Sequence, residues 1–258
     1  MKVTHYRIPA RVTLNIAVCA DFHSSTRVFT REKRVPALLE QLRALSPDLI
    51  VFPGDTLNNT AKYGLNECFN QAGTALLTGC TSVAPVFCSI GNHEFGMSPE
   101  NRKELESRGV HVLDNETVCW NGFCIGGLTS AYQKVKFEYD TPPVPDTQVL
   151  NRFPPDGRYR ILLCHHPEYW PRYVVGHGVD LTIAGHAHGG QWRLFGRGIF
   201  APGQGFLPKY TSGIHTASTG EKLVISRGMT NTAKIPRFFN PQELLMLHLY
   251  EISDPESI

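Results

Sequence analysis

Short apolar runs recur along this chain, and several of them stop at a small polar block. Val12 to Ala20 is almost continuously apolar, which predicts a strand covered on both faces. It ends at Asp21-Phe22-His23. From Arg31 to Leu45 the apolar residues Val35, Leu38, Leu39, Leu42 and Leu45 return at helical spacing, and Ser46-Pro47 stops the helix. Asp48 to Phe52 predicts a second strand that runs into Gly54-Asp55. This β-α-β order implies parallel neighbours joined by a right-handed crossover. A helix is expected over Asn66 to Leu77, and a third strand, Val83 to Ile90, leads into Gly91-Asn92-His93-Glu94. Pro99 to Arg108 predicts a short helix, with Ser98 as its N-cap and Gly109 closing it. Val110 to Leu113, Thr117 to Trp120 and Phe123 to Leu128 follow as short strands, expected in a meander.

The second half repeats the theme. Tyr159 to Cys164 ends at His165-His166, and Val179 to Ala184 ends at Gly185-His186-Ala187-His188. Beyond them, Gln191 to Phe195, Leu223 to Ser226 and Leu244 to Tyr250 have the spacing of antiparallel strands. Tyr132 to Gly157, rich in proline turns, is expected to form a surface loop, with a segment overhanging a site and touching substrate as the alternative. No repeat, low-complexity stretch or linker interrupts the pattern, so a single domain over residues 1–258 is expected.

Composition narrows the class. Charged residues make up 19% of the chain and hydrophobic residues 41%, as in soluble globular proteins. The formal net charge of +2 is too balanced to argue for nucleic-acid binding. No apolar stretch approaches the roughly 18–20 residues of a membrane span, and the start of the chain lacks a signal-peptide core. Lys2, His5, Arg7 and Arg11 make that start mildly basic; a solvated end is expected, with contact to an anionic membrane face as the alternative. Seven cysteines are present, several of them inside apolar runs. Buried reduced thiols are expected, and with them a reducing cytoplasm. A disulfide between Cys119 and Cys124, across the turn Trp120-Asn121-Gly122-Phe123, is the alternative.

The polar blocks carry the candidate chemistry. Strand ends that converge at one sheet edge bring distant residues together, and these blocks supply carboxylates, imidazoles and an amide. That mixture suits two divalent metals bridged by one carboxylate. Asp55 is the natural bridge, because it follows a strand and Gly54 lets the backbone approach closely. Asp21 and His23 alternate along an extended turn, so both reach one metal. Asn92 adds a neutral oxygen. His165, His186 and His188 offer imidazoles suited to Zn, Fe, Mn or Co. Each block is weak evidence alone; their joint occurrence, in this order and always at strand ends, is specific.

With these blocks the chain resembles the calcineurin-like metallophosphoesterase superfamily over roughly Leu14 to Leu247. It is also similar to a bacterial branch of phosphodiesterases and a UDP-2,3-diacylglucosamine pyrophosphohydrolase. Leu162 to Pro167, Gly185 to Gln191, Pro208-Lys209-Tyr210 and Pro236 to Asn240 carry that second likeness. The resemblance implies an α/β fold, a four-layer α/β/β/α sandwich of two mixed sheets with a dimetal site at the strand ends. It implies Asp21, His23, Asp55 and His188 around one metal, and Asp55, Asn92, His165 and His186 around the other. The metals would be Mn, Fe, Zn or a mixed pair. His93 takes the role of general acid, and a metal-bridging hydroxide that of nucleophile. Departures from the family pattern are Phe22, Cys164 and Thr129, the last where relatives often carry an Asp, so the resemblance implies no substrate contact near Thr129.

The expected activity is therefore dimetal hydrolysis of a small or lipid-linked phosphodiester or pyrophosphate, in the cytoplasm or peripherally at the inner membrane face. A nuclease of the same superfamily and a catalytically silent metal-bound scaffold for partner binding are the competing readings. His166 is expected at the surface or in a cap; Arg193, Arg227 and Arg237 are expected at the surface, with phosphate or substrate contact as the alternative; Phe238-Phe239 is expected in the core, with an acyl-binding groove as the alternative.

Overall fold

The computed structural model describes residues 1–24, 31–58, 72–120, 122–132, 143–201, 204–230 and 236–251, with only the backbone of 31–33. In chain order the strands are β1 (Lys2–Ala10), β2 (Leu14–Val18), β3 (Leu49–Phe52), β4 (Val86–Ser89), β5 (Val110–Leu113), β6 (Thr117–Trp120), β7 (Phe123–Leu128), β8 (Tyr159–Cys164) and β9 (Leu181–Ala184). Then come the short β10 (Arg193–Leu194), β11 (Arg197–Gly198), β12 (Phe200–Ala201) and β13 (Gly205–Phe206), followed by β14 (Gly213–Thr216), β15 (Lys222–Ile225) and β16 (Glu243–Glu251). The helices are α1 (Arg31–Leu45), α2 (Ala72–Cys80) and α3 (Pro99–Ser107). The first half of the helix expected over Asn66 to Leu77 lies outside the described residues.

Two six-stranded mixed sheets form, in the orders β1-β16-β2-β3-β4-β5 and β14-β15-β9-β8-β7-β6. Strands β2-β3-β4-β5 and β7-β8-β9-β15 run parallel within their sheets. Alternation along the apolar runs builds the layers. Ile16, Val18, Leu49 and Val51 meet Ile125, Ile161, Leu163 and Ile183 between the sheets. Ala17, Cys19, Ile50 and Phe52 face the other way, onto Leu38, Leu42, Leu76 and Leu105 of the three helices. The far side of the second sheet packs Leu162, Cys164 and Ile225 against 3₁₀ turns at Thr147–Arg152 and Pro167–Tyr169 and a π turn at Trp170–Val174. This is the expected sandwich, its fourth layer made in the described residues of short turns. Among the described residues, no helix is long and apolar enough to cross a membrane.

Several expectations are corrected. Residues 2–10 are not a free end but strand β1, parallel to β16. Edge position explains why the pattern hid it: Ile8 is buried, while Lys2, His5 and Arg7 stay exposed, and Pro9 is tolerated at an edge. The meander is also wrong. β5 stays in the first sheet beside β4, and the β6–β7 hairpin starts the second. Thr129 lies at this crossing, donating from Oγ1 to Asp114 Oδ1 (2.6 Å). β15 pairs in parallel with β9 as well as antiparallel with β14. Cys119 of β6 and Cys124 of β7 are direct cross-strand partners, and they form a disulfide. Cys19, Cys80, Cys88 and Cys164 are buried thiols, and Cys68 lies outside the described residues. The bridge removes the support that an all-thiol chain gave to a cytoplasmic location.

If β1 is integral to the sandwich, Ile8→Ala leaves a hole between the sheets and lowers the unfolding free energy by ~2–4 kcal/mol in urea titration. An unchanged midpoint would make β1 a dispensable appendage.

Candidate metal centre

The polar blocks all leave the same edge of the sandwich, past the C-terminal ends of β2, β3 and β4 in one sheet and β8 and β9 in the other. The parallel ladder continues beyond the strands: His23 N donates to Asp55 O (2.9 Å), Ser24 N to Thr56 O (3.1 Å), and Gly185 N to His165 O (3.2 Å). Backbone pairing thus carries the blocks of neighbouring strands side by side. Gly54, at φ 108°, is where the loops touch: a Cβ there would lie 2.8 Å from both Gly91 Cα and His165 Nδ1. Asp21, His23, Asp55, His186 and His188 all have left-handed backbones, with φ between 46° and 63°. Such conformations are uncommon outside glycine, though Asp and His adopt them more readily than bulky residues, and they gather at functional sites.

Asp55 is the hub. Its Oδ2 lies 3.0 Å from His165 Nε2 and 3.8 Å from both His23 Nε2 and His93 Nε2. Asp21 Oδ1 lies 3.9 Å from His23 Nε2, 3.6 Å from His188 Nε2 and 4.0 Å from His165 Nε2. Among the described residues, four groups of side chains could each hold an ion: Asp21-His23-His188, His23-Asp55-His93, Asp55-His165-His186 and His166-Glu168-His186. The structure therefore brings together the histidines and aspartates singled out in the sequence, and Asn92 is buried beside them. Asp21 Oδ2 and Asn92 Oδ1 are buried with no hydrogen-bond partner. Buried acceptors without donors are costly. Two lone-pair donors of this kind, among imidazoles and carboxylates, fit a divalent cation.

Two further side chains position the first. Glu94 is buried, and its carboxylate accepts from the backbone N–H groups of Asp55 (2.8 Å), Leu57 (2.8 Å) and Gly91 (2.9 Å). It clamps the loops after β3 and β4 together. The amide oxygen of Asn58 accepts from His93 Nδ1, which leaves Nε2 directed at the centre. On the other side His165 Nδ1 meets Pro53 O (3.0 Å). A carbonyl only accepts, so Nδ1 carries the hydrogen there and Nε2 faces Asp55. Glu94 stood in a recognised block without a role, and Asn58 had no pattern to mark it. The clue to Asn58 was its position three residues past Asp55.

Charge at the hub is mutually set. Burial pushes the Asp21 carboxyl up to about 6. Burial works the same way on Asp55, but His165, His93 and His23 outweigh it and hold that carboxyl well below its ordinary range. Burial opposes the charged form of His165 too, yet the Asp55 carboxylate raises it to about 9. His188 is driven down to about 3 by burial and by the guanidinium of Arg237. A buried carboxylate and an imidazole thus favour each other's charged forms at the position a metal cation would share.

Four surface assignments do not hold. His166 is fully buried, with Nε2 2.7 Å from Ser130 Oγ, Nδ1 3.5 Å from Glu168, and its ring stacked on Tyr132. Arg237 is partly buried at the centre, donating to His188 Nδ1 (2.9 Å) and to the carbonyls of Arg227 and Thr230. Arg227 pairs with the buried Glu243. Arg193 is tied to Gly189 O and Thr211. Phe238 and Phe239, expected in the core, are exposed.

The calcineurin-like phosphoesterase family model matches residues 14–190. Among curated proteins, the uncharacterized metallophosphoesterase YkuE of Bacillus subtilis (strain 168) is 30% identical over 236 residues, covering 89% of this chain and 77% of its own. An uncharacterized metallophosphoesterase of Aquifex aeolicus (strain VF5) is 24% identical over 249 residues, covering 93% and 87%. A third, from Helicobacter pylori (strain ATCC 700392 / 26695), is 23% identical over 92% of this chain, which spans only 60% of that relative's length. Of solved structures, a dimetal phosphatase from Danio rerio has a TM-score of 0.54 at 12% identity, covering 92% of this chain and 93% of that one. The NAD nucleotidase of Haemophilus influenzae has 0.52 at 18%, covering 83% and 44%. At these identities the structures establish a shared fold.

Glu94→Ala strands three buried N–H groups. Each costs ~1–3 kcal/mol, so the variant should unfold at clearly lower denaturant. It should also bind Mn²⁺ about 10–100-fold more weakly, as when the support of a ligand is removed. Calorimetric titration with Mn²⁺ that matched the parent would exclude Glu94 as a positioning residue.

Proposed function

The chain belongs to the calcineurin-like phosphoesterase family, and on that premise we propose that it hydrolyses phosphodiester or pyrophosphate bonds with two divalent metals. It is a metal-dependent phosphoester hydrolase by family; the bond type, the ligand set and the role of each residue are the proposal. The observation that carries it is the hub: one buried carboxylate, Asp55, within 4.0 Å of imidazoles from both sheets. Asp21, His23, Asp55 and His188 would hold one ion, and Asp55, Asn92, His165 and His186 the other. Such a pair, when bound, supplies Lewis acidity toward the phosphoryl oxygens and a water acidified from 15.7 to about 7.

The remaining work falls to the chain. His93 Nε2 lies at the open side of the hub, with its ring fixed through Asn58. Burial lowers its pKa, which makes the ring, once protonated, a stronger acid toward a departing oxygen. Gly189, at φ 67°, and Gly190 let the chain turn sharply after His188. A Cβ on Gly189 would lie 2.3 Å from Asn240 Oδ1, so the turn and Asn240 are packed together. Support for a diester or pyrophosphate over a monoester comes from the segments Leu162 to Pro167 and Gly185 to Gln191, which resemble the phosphodiesterase and pyrophosphohydrolase branch. The substrate class proposed is small or lipid-linked. Residues 1–258 are proposed as one domain, supported by the pairing of β1 with β16 from the other end of the described chain.

Chelator-treated protein should regain turnover of bis-p-nitrophenyl phosphate on adding Mn²⁺; no turnover with Mn²⁺, Fe²⁺ or Zn²⁺ would leave the silent-scaffold reading standing. His93→Ala should keep its metals and lose ~10²–10⁴-fold in kcat, and an unaffected rate removes His93 from the reaction. Asp55→Asn should lose occupancy at both positions by elemental analysis, whereas full occupancy would end its assignment as the bridge.

A further inference from the structure

Beyond β9 the chain builds a platform that the reaction does not use. The β10–β11 hairpin presents Leu194 and Phe195 at its tip, and the β12–β13 hairpin presents Phe206 and Leu207. The segment after residue 235 presents Phe238 and Phe239. Phe195 is 95% exposed, Phe239 83%, Phe206 80% and Leu207 75%. The three segments are stitched into one body. Ile199 N donates to Trp192 O (2.8 Å), Leu207 N to Ile199 O (2.9 Å), and Arg193 N to Phe238 O (3.0 Å). Trp192 packs edge-on against Phe238, and Phe200 against Phe206. Asn240 fastens this body to the metal centre, donating to His188 O (2.7 Å) and Gln191 O (3.1 Å).

Two independent features say what meets it. Phe195, Leu207 and Phe239 all sit at φ near 50°, a conformation bulky side chains rarely adopt. The turns hold these apolar side chains outward, where water penalises them and nothing in the described structure covers them. Charge is also one-sided: residues 191–210 and 236–240, the segments of the platform, hold four Lys and Arg and no acid, although the whole chain carries only +2. Arg197 and Lys209 are exposed on the platform itself. Apolar side chains exposed on three separate segments and flanked by cations match a fluid anionic interface better than a shaped protein groove.

We propose that this platform docks the protein on an anionic membrane surface. Phe195, Phe206, Leu207 and Phe239 enter the interfacial layer, and Arg197 and Lys209 lie among the headgroups. The attachment is independent of the bond hydrolysed, but it holds the metal centre at the bilayer.

Co-sedimentation of the full chain with vesicles tests this. The parent should pellet with vesicles of equal parts phosphatidylcholine and phosphatidylglycerol, bind pure phosphatidylcholine much less, and lose binding as salt rises. The triple variant F195S/F206S/F239S should partition at least ~10-fold more weakly, with unchanged thermal unfolding and unchanged turnover of bis-p-nitrophenyl phosphate. If the triple variant misfolds, Phe195→Ser alone should show a smaller loss in the same direction. Parent protein left in the supernatant overturns the proposal, as does a folded variant that binds like the parent. A dimer in sedimentation velocity that the triple variant abolishes, without vesicle binding, would assign the platform to a second copy of the chain instead.

Discussion

A carboxylate removed from water must be met by donors or cations, and in this protein that requirement falls hardest on Asp55. Its Oδ1 accepts from His93 N (2.8 Å), and its Oδ2 looks into a ring of imidazoles. Because those imidazoles come from both sheets, the electrostatics of one side chain depend on how the two layers stack. The apolar layer of Ile16, Val18, Leu49, Val51, Ile161 and Ile183 sets that stacking. Packing that is ordinary in the middle of the molecule becomes chemical at its edge. A shift of about 1 Å there would change which groups share a cation.

The same edge shows why some of the molecule was legible in its sequence. Parallel strands buried on both faces read as unbroken apolar runs, so β2, β3, β4, β8 and β9 stood out, together with the blocks that end them. Motif likeness supplied the second sheet's place opposite the first. What escaped notice depends on long-range partners. β1 is an edge strand whose polar residues dilute its alternation, and only its pairing with β16 reveals it. His166 looked dispensable beside His165 because nothing local says that Ser130 and Tyr132 will close over it. Phe238 and Phe239 read as core because apolar side chains usually are; the tight turn that turns them outward is invisible to hydropathy. Glu94 and Asn58 act through backbone amides and a ring nitrogen supplied by neighbouring loops, a kind of partner that spacing does not encode.

Local strain and local support are balanced at the centre. Five of the polar residues that crowd it take left-handed backbones. Around them Glu94 collects three amides, and Thr230 Oγ1 reaches Asp21 O (2.8 Å). His186 N is held by Asp21 Oδ1 (3.0 Å). These bonds keep the loops in conformations the free chain would leave. The side chains are thereby fixed before any ion arrives, and less ordering remains to be done when one binds.

The position of β16 has a consequence for how the molecule comes into being. It lies between β1 and β2, antiparallel to the second and parallel to the first, with Leu245, Leu247 and Leu249 in the layer between the sheets. During synthesis both partners emerge more than two hundred residues before it. Until β16 arrives, the strand that carries Asp21 and His23 has an open edge, and the first sheet is two disconnected pieces. Contacts of such separation are slow to form and leave sticky edges exposed meanwhile. The loop that carries Asp21 and His23 therefore leaves a strand whose second neighbour is the last strand of the described chain.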